Sequence, residues 1–186
     1  MKKISLVLMM MATFVVTKTF AQSDASSTSA VAKRGLSLSI GAEGVLPVGT
    51  FKDAGYKFGG GGSAKLAIPV ASMLDVTISA GYIVFGASKL EELNDAGAYA
   101  FIPFKGGLKL RTSPGFYVEP QAGYTQTKLQ NVSEGEGEFT YALNLGYLIG
   151  NAVDVAARYE AVATKGTSAK MIGLRLAYNI PFARTK

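Results

Sequence analysis

Eight stretches of the chain alternate apolar residues with small or polar ones, and the last shows the pattern most clearly. Ile172, Leu174, Leu176, Tyr178, Ile180 and Phe182 fall on one side; Met171, Gly173, Arg175, Ala177, Asn179 and Pro181 fall on the other. A period of two residues belongs to a β-strand whose two faces meet different surroundings. The predicted strands are 36–48, 63–70, 74–85, 98–111, 115–126, 139–148, 152–162 and 170–182. Most reach the ~9–11 residues that a tilted strand needs to cross a bilayer, whereas globular strands run about 5–6. The second is visibly short, with Gly59 to Gly62 available to lengthen it.

The connections alternate in length. Those at 49–62, 86–97, 127–138 and 163–169 are long, and those at 71–73, 112–114 and 149–151 are short. Outer-membrane barrels show this asymmetry, with short periplasmic turns and longer outside loops. An even strand count returns both ends of the chain to the same side. The expected fold is all-β: an eight-stranded antiparallel up-and-down transmembrane β-barrel over 35–182.

One face of the strands collects Leu38, Ile40, Leu66, Ile68, Val76, Ile78, Phe104, Leu108, Val118, Leu143, Leu145 and Val155. The charges of the strands, namely Glu43, Lys65, Asp75, Lys105, Lys109, Arg111, Glu119, Asp154, Arg158, Glu160 and Arg175, are expected on the other face. Facing a narrow lumen they can pair, whereas in lipid each would cost ~2–4 kcal/mol near the midplane. Tyr82, Phe116, Tyr124, Tyr147, Tyr159, Tyr178 and Phe182 lie toward strand ends, where an interfacial aromatic girdle belongs. Period two alone does not say which face points in. A soluble lipocalin-like carrier, apolar inside, is the alternative. The uniform apolar face and the small residues opposite it favour lipid.

The start of the chain fits export. Lys2 and Lys3 precede an apolar stretch from Ile4 to Val16, and Thr19-Phe20-Ala21 has small residues at cleavage positions. Residues 1–21 are expected to be a cleaved signal peptide and Gln22 the mature N-terminus. Residues 22–34, rich in Ser, Thr and Ala, read as a flexible periplasmic linker, and 183–186 as a short tail. Composition then sharpens the picture. With 48% hydrophobic and 17% charged residues and a mean hydropathy of +0.24, the chain is apolar for an exported soluble domain. It has no cysteine, so disulfides do not hold it. Losing Lys2, Lys3 and Lys18 would leave 16 basic against 13 acidic residues, too mild and dispersed a charge for nucleic acid.

The chain also lacks histidine, which removes Ser-His-Asp and Cys-His nucleophiles and the common zinc and haem sites. Glu119 with Glu160, or Asp75 with Asp154, could face one another for acid/base work, but an interior ion-pair network is the expected arrangement. Glu134, Glu136 and Glu138 lack calcium-loop spacing, and Gly59 to Gly62 lack the Gly-Lys-Ser/Thr of a phosphate loop. No catalytic, cofactor-binding or metal residue is expected, and no cofactor.

Two stretches carry a family resemblance. Ile102-Pro103-Phe104-Lys105-Gly106-Gly107-Leu108-Lys109, followed by Gly115-Phe116-Tyr117-Val118-Glu119-Pro120-Gln121-Ala122-Gly123-Tyr124, resembles the "porin family" of small OmpA/OmpX-like outer-membrane barrels, of Bacteroidetes type. Gly173-Leu174-Arg175-Leu176-Ala177-Tyr178 resembles the terminal signal of such barrels, although four residues follow Phe182 and Met171 stands where a polar residue is common. The resemblance implies a monomer in outer-membrane lipid, inserted by the barrel-assembly machinery through its C-terminal strand. It implies a structural or surface-interaction role, with a small pore as the alternative. It names no ligand for the loops. Barrel enzymes of that membrane rely on a histidine this chain does not have.

Overall fold

The computed structural model describes residues 35–53, 56–87, 99–129, 137–150, 152–164 and 167–182. Eight strands run in order: β1 (Ser37–Val48), β2 (Tyr56–Ala71), β3 (Leu74–Ala87), β4 (Tyr99–Arg111), β5 (Phe116–Leu129), β6 (Gly137–Ile149), β7 (Val153–Thr164) and β8 (Thr167–Pro181). Each pairs antiparallel with its neighbours, and β1 pairs with β8 from Ser37↔Pro181 to Val48↔Lys170, closing the barrel. A short helix α1 (Thr50–Asp53) follows β1. The signal, linker and tail lie outside the described residues, as do Glu134 and Glu136.

The faces are those the alternation implied. Ile40, Ile78, Leu143, Leu145, Leu174 and Leu176 stand exposed on the outside, with Leu174 66% exposed. Glu43, Lys65, Asp75, Lys105, Lys109, Glu119, Asp154, Arg158, Glu160 and Arg175 are buried inside. A carrier with its apolar face inward is therefore ruled out. One charge departs from the expected division: Lys170, near the start of β8, is exposed with the outward set.

Three further corrections concern strand ends. The second strand is the longest, with 16 residues, and Gly59 to Gly62 belong to it rather than to a loop. These glycines let β2 pack closely. A Cβ on Gly61 would lie 1.9 Å from the Tyr82 carbonyl oxygen, and one on Gly59 would meet the Phe85 ring at 2.6 Å. Gly61→Val is accordingly expected to abolish most of the folded, heat-modifiable band on gels. Gly62→Ala, with its nearest contact at 3.4 Å, should leave that band near normal. Second, the connection expected at 163–169 is short, because β7 and β8 stay paired up to Thr164↔Thr167. Third, Tyr82, Tyr124 and Tyr159 fall short of the strand ends, since the strands run on past them. Phe116, Tyr147, Tyr178 and Phe182 remain at the short-turn end, where Phe116 and Tyr147 are register partners.

The turns at that end are tight. Gly115 and Gly150 take positive φ there (84° and 57°), which glycine adopts without a side-chain clash. From that end, a 14-residue strand such as β3 rises roughly 35 Å at ~40° tilt and ~3.3 Å per residue, against an apolar belt of ~25 Å.

Candidate functional site

Among the described residues, buried polar chemistry collects in the lumen, which has two storeys. From the turn end to mid-barrel it holds five buried cations (Lys65, Lys105, Lys109, Arg158 and Arg175) and five buried carboxylates (Glu43, Asp75, Glu119, Asp154 and Glu160). Such a population survives only when each charge finds partners, because an isolated buried ion is strongly penalised. Lys65 Nζ lies 2.7 Å from Glu119, and Lys105 Nζ lies 2.7 Å from Glu160. The Arg158 guanidinium bridges Glu43 at 2.5 Å and Glu160 at 2.8 Å. The second contact is an ion pair without hydrogen-bond alignment, since Arg158 Nε has no hydrogen-bond partner. Arg175 reaches Glu43 at 3.6 Å and Asp154 at 3.4 Å, and donates to the Ser39 and Ser63 hydroxyls. At the turn rim, half-exposed Arg111 pairs with Asp75 at 2.7 Å.

Neutral groups complete these shells. Thr77 and Gln121 donate to Glu119 at 2.7 and 2.9 Å. Tyr117 donates to Asp154 at 2.5 Å and lays its ring under the Lys109 ammonium, 4.0 Å from the centroid. Gly146 gives that ring its space: a Cβ there would sit 2.2 Å from Tyr117 Cζ. Glu119 and Glu160, and likewise Asp75 and Asp154, each engage cations of their own, the interior ion-pair arrangement expected from sequence. Among the described residues no three His, Cys, Asp or Glu side chains group as metal ligands.

A polar cavity of about 20 Å³ lies among Glu43, Ser63, Lys105, Gln121, Arg158 and Arg175. That suffices for about one water. Gln121 Oε1, buried without a partner, borders the same cavity, as does Arg158. A water there would satisfy an acceptor and a donor together.

The upper storey is apolar, and the alternation had not revealed it. Val45, Ile83, Phe85, Phe101, Val162 and Met171 point inward near the long-connection end, and Phe51 from α1 packs among them, 8% exposed. Its ring meets Phe85 edge-on at 5.2 Å and Phe101 nearly parallel at 5.8 Å. Burying a phenylalanine contributes roughly 1.5–3 kcal/mol toward ordering this four-residue helix. The sequence signal available was the Met at 171, a large apolar side chain on an otherwise small or polar face.

No family model and no curated protein matches the sequence. Solved structures do match the fold. The attachment invasion locus protein Ail of Yersinia pestis is 18% identical, over 79% of this chain and 99% of that one, with a TM-score of 0.55. The N-terminal β-barrel domain of Pseudomonas aeruginosa OprF is 14% identical over 77% and 97%, with a TM-score of 0.57. A de novo designed transmembrane β-barrel is 13% identical over 80% and 98%, with a TM-score of 0.50. The fold is that of these membrane barrels, and the exposed apolar belt suits lipid. The chain has the eight-stranded, closed antiparallel fold of these outer-membrane β-barrels.

Proposed function

We infer that this protein is a monomeric, non-conducting anchor in the outer membrane that displays its long connections to the outside. It is not an enzyme, and its role is structural or one of surface interaction. The observation that carries this reading is the occluded lumen, whose buried cations and carboxylates pair at 2.5–2.7 Å across the barrel. Open porin channels need about 16 strands, twice the number here. The resemblance to Bacteroidetes porin-family barrels belongs to the same proposal. So do removal of 1–21 on export, insertion by the assembly machinery through β8, and an outward-facing long-connection end. Ail is named for attachment, and a surface-interaction role is the nearest counterpart for a barrel of this build.

Planar-bilayer recordings on the refolded protein test it. The expected trace is flat under applied voltage. Steady, reproducible single-channel steps would establish a pore instead.

A further inference from the structure

We propose that α1 is a stopper: Phe51 seats in an apolar cup at the mouth of the barrel and shuts that cup off from water. Three observations carry this. The cup is built from inward residues of β1, β3, β4, β7 and β8: Val45, Ile83, Phe85, Phe101, Val162 and Met171 form one buried cluster with Phe51. The two aromatic walls, 5.1 Å apart by their centroids, meet the Phe51 ring in the edge-on and stacked geometries aromatic pairs favour. The helix leaves β1 through Gly49, at φ +61° with nothing within 4 Å of a Cβ position, which gives it a glycine pivot in open space.

The stopper is separate from the sealed-lumen reading, which rests on the ion pairs deeper in the barrel. Withdrawal of Phe51 would uncover the cup and leave Lys105–Glu160 and Arg158–Glu43 in place beneath it. Current reports the lower barrier, and access to the cup reports the upper one.

The absence of cysteine makes access measurable at a single site. Val162, fully buried in the cup, is changed to cysteine in the full chain, refolded into lipid vesicles and exposed to a membrane-impermeant maleimide. With Phe51 present, labelling should be slow. Adding Phe51→Ala should speed it by about tenfold or more, as local opening replaces a seated ring. Equal rates in the two backgrounds, whether both fast or both slow, overturn the stopper. Should the alanine variant not refold, Phe51→Leu decides: an increase of about threefold supports the proposal, and no change overturns it. A flat bilayer trace for Phe51→Ala alongside fast labelling would keep the two barriers distinct.

Discussion

Changing Glu119 and Glu160 together to glutamine is expected to destabilise the barrel by about 3–5 kcal/mol for each buried pair broken. The two carboxylates serve different cations, Lys65 for Glu119 and Lys105 with Arg158 for Glu160. Each amide still accepts a hydrogen bond, which places the effect toward the lower end of that range. The cations then stand uncompensated in a packed interior, where water reaches them poorly. Urea titration of the refolded protein, followed by heat-modifiable migration, measures the loss. Lys65→Met combined with Glu119→Gln alone should recover most of the share lost at Glu119, because removing both members of a buried pair is often close to neutral. If the double glutamine variant unfolds at the same urea concentration as the parent, the ion pairs do not hold the lumen together.

Leu143→Arg is the second large effect. Leu143 is 45% exposed on the outer face of β6, between Pro120 and Tyr159 in register. Arginine there meets hydrocarbon at a cost of about 2–4 kcal/mol near the midplane and should strongly reduce insertion. Its neighbour Asn144 points inward, 4% exposed, and donates to the Glu119 carbonyl oxygen at 3.1 Å. On alternation alone, Asn144→Arg would be the tolerated control. The structure changes that choice, because Asn144 is the register partner of Arg158 and a second guanidinium would meet like charge in a full interior. Asn144→Ala, which gives up that hydrogen bond but adds no charge between Arg158 and Glu119, should keep far more of the folded band than Leu143→Arg. Equal losses for Leu143→Arg and Asn144→Ala would mean the faces are assigned the wrong way round.

The barrel was legible wherever polarity differed between neighbours. Leu143, Asn144 and Leu145 leave no doubt about which side is which, and one such triplet fixes a whole strand, since a slip by one residue would invert every side chain. The upper storey was not legible, for the same reason in reverse. Tyr82-Ile83-Val84-Phe85 is apolar at every position, so the contrast that marks an inward face vanishes where the lumen itself becomes apolar. Phe51 was hidden further, because a lone phenylalanine in a connection carries no periodicity. The glycines at 59–62 could be read as a loop or as an extension of the second strand, because four glycines in a row carry no alternation, and the structure makes them strand. Their backbone pairs with β1 and β3 in regular register, and the need for glycine at 59 and 61 lies in how closely β3 approaches those two positions. The ion-pair partners were equally beyond reach: Lys65 and Glu119 sit on strands that are not adjacent, and only the curvature of a closed sheet brings them across the lumen.

The junction of β1 with β8 has a consequence for how the molecule comes to exist. Every other junction joins strands that follow one another in sequence, and each can zip from its own turn. The β1–β8 seam joins the two ends of the chain over all twelve residues of β1, so it carries nearly the whole loop-closure entropy of the fold. Until it forms, two full edges of backbone N–H and C=O groups have no partner, a state that hydrocarbon does not tolerate. Half-closed intermediates in lipid are thereby disfavoured, and closure takes on the character of a single cooperative, rate-setting event. Shortening β8 at its Pro181 end would strip partners from Ser37 and Leu38 and slow that event before it altered anything in the lumen.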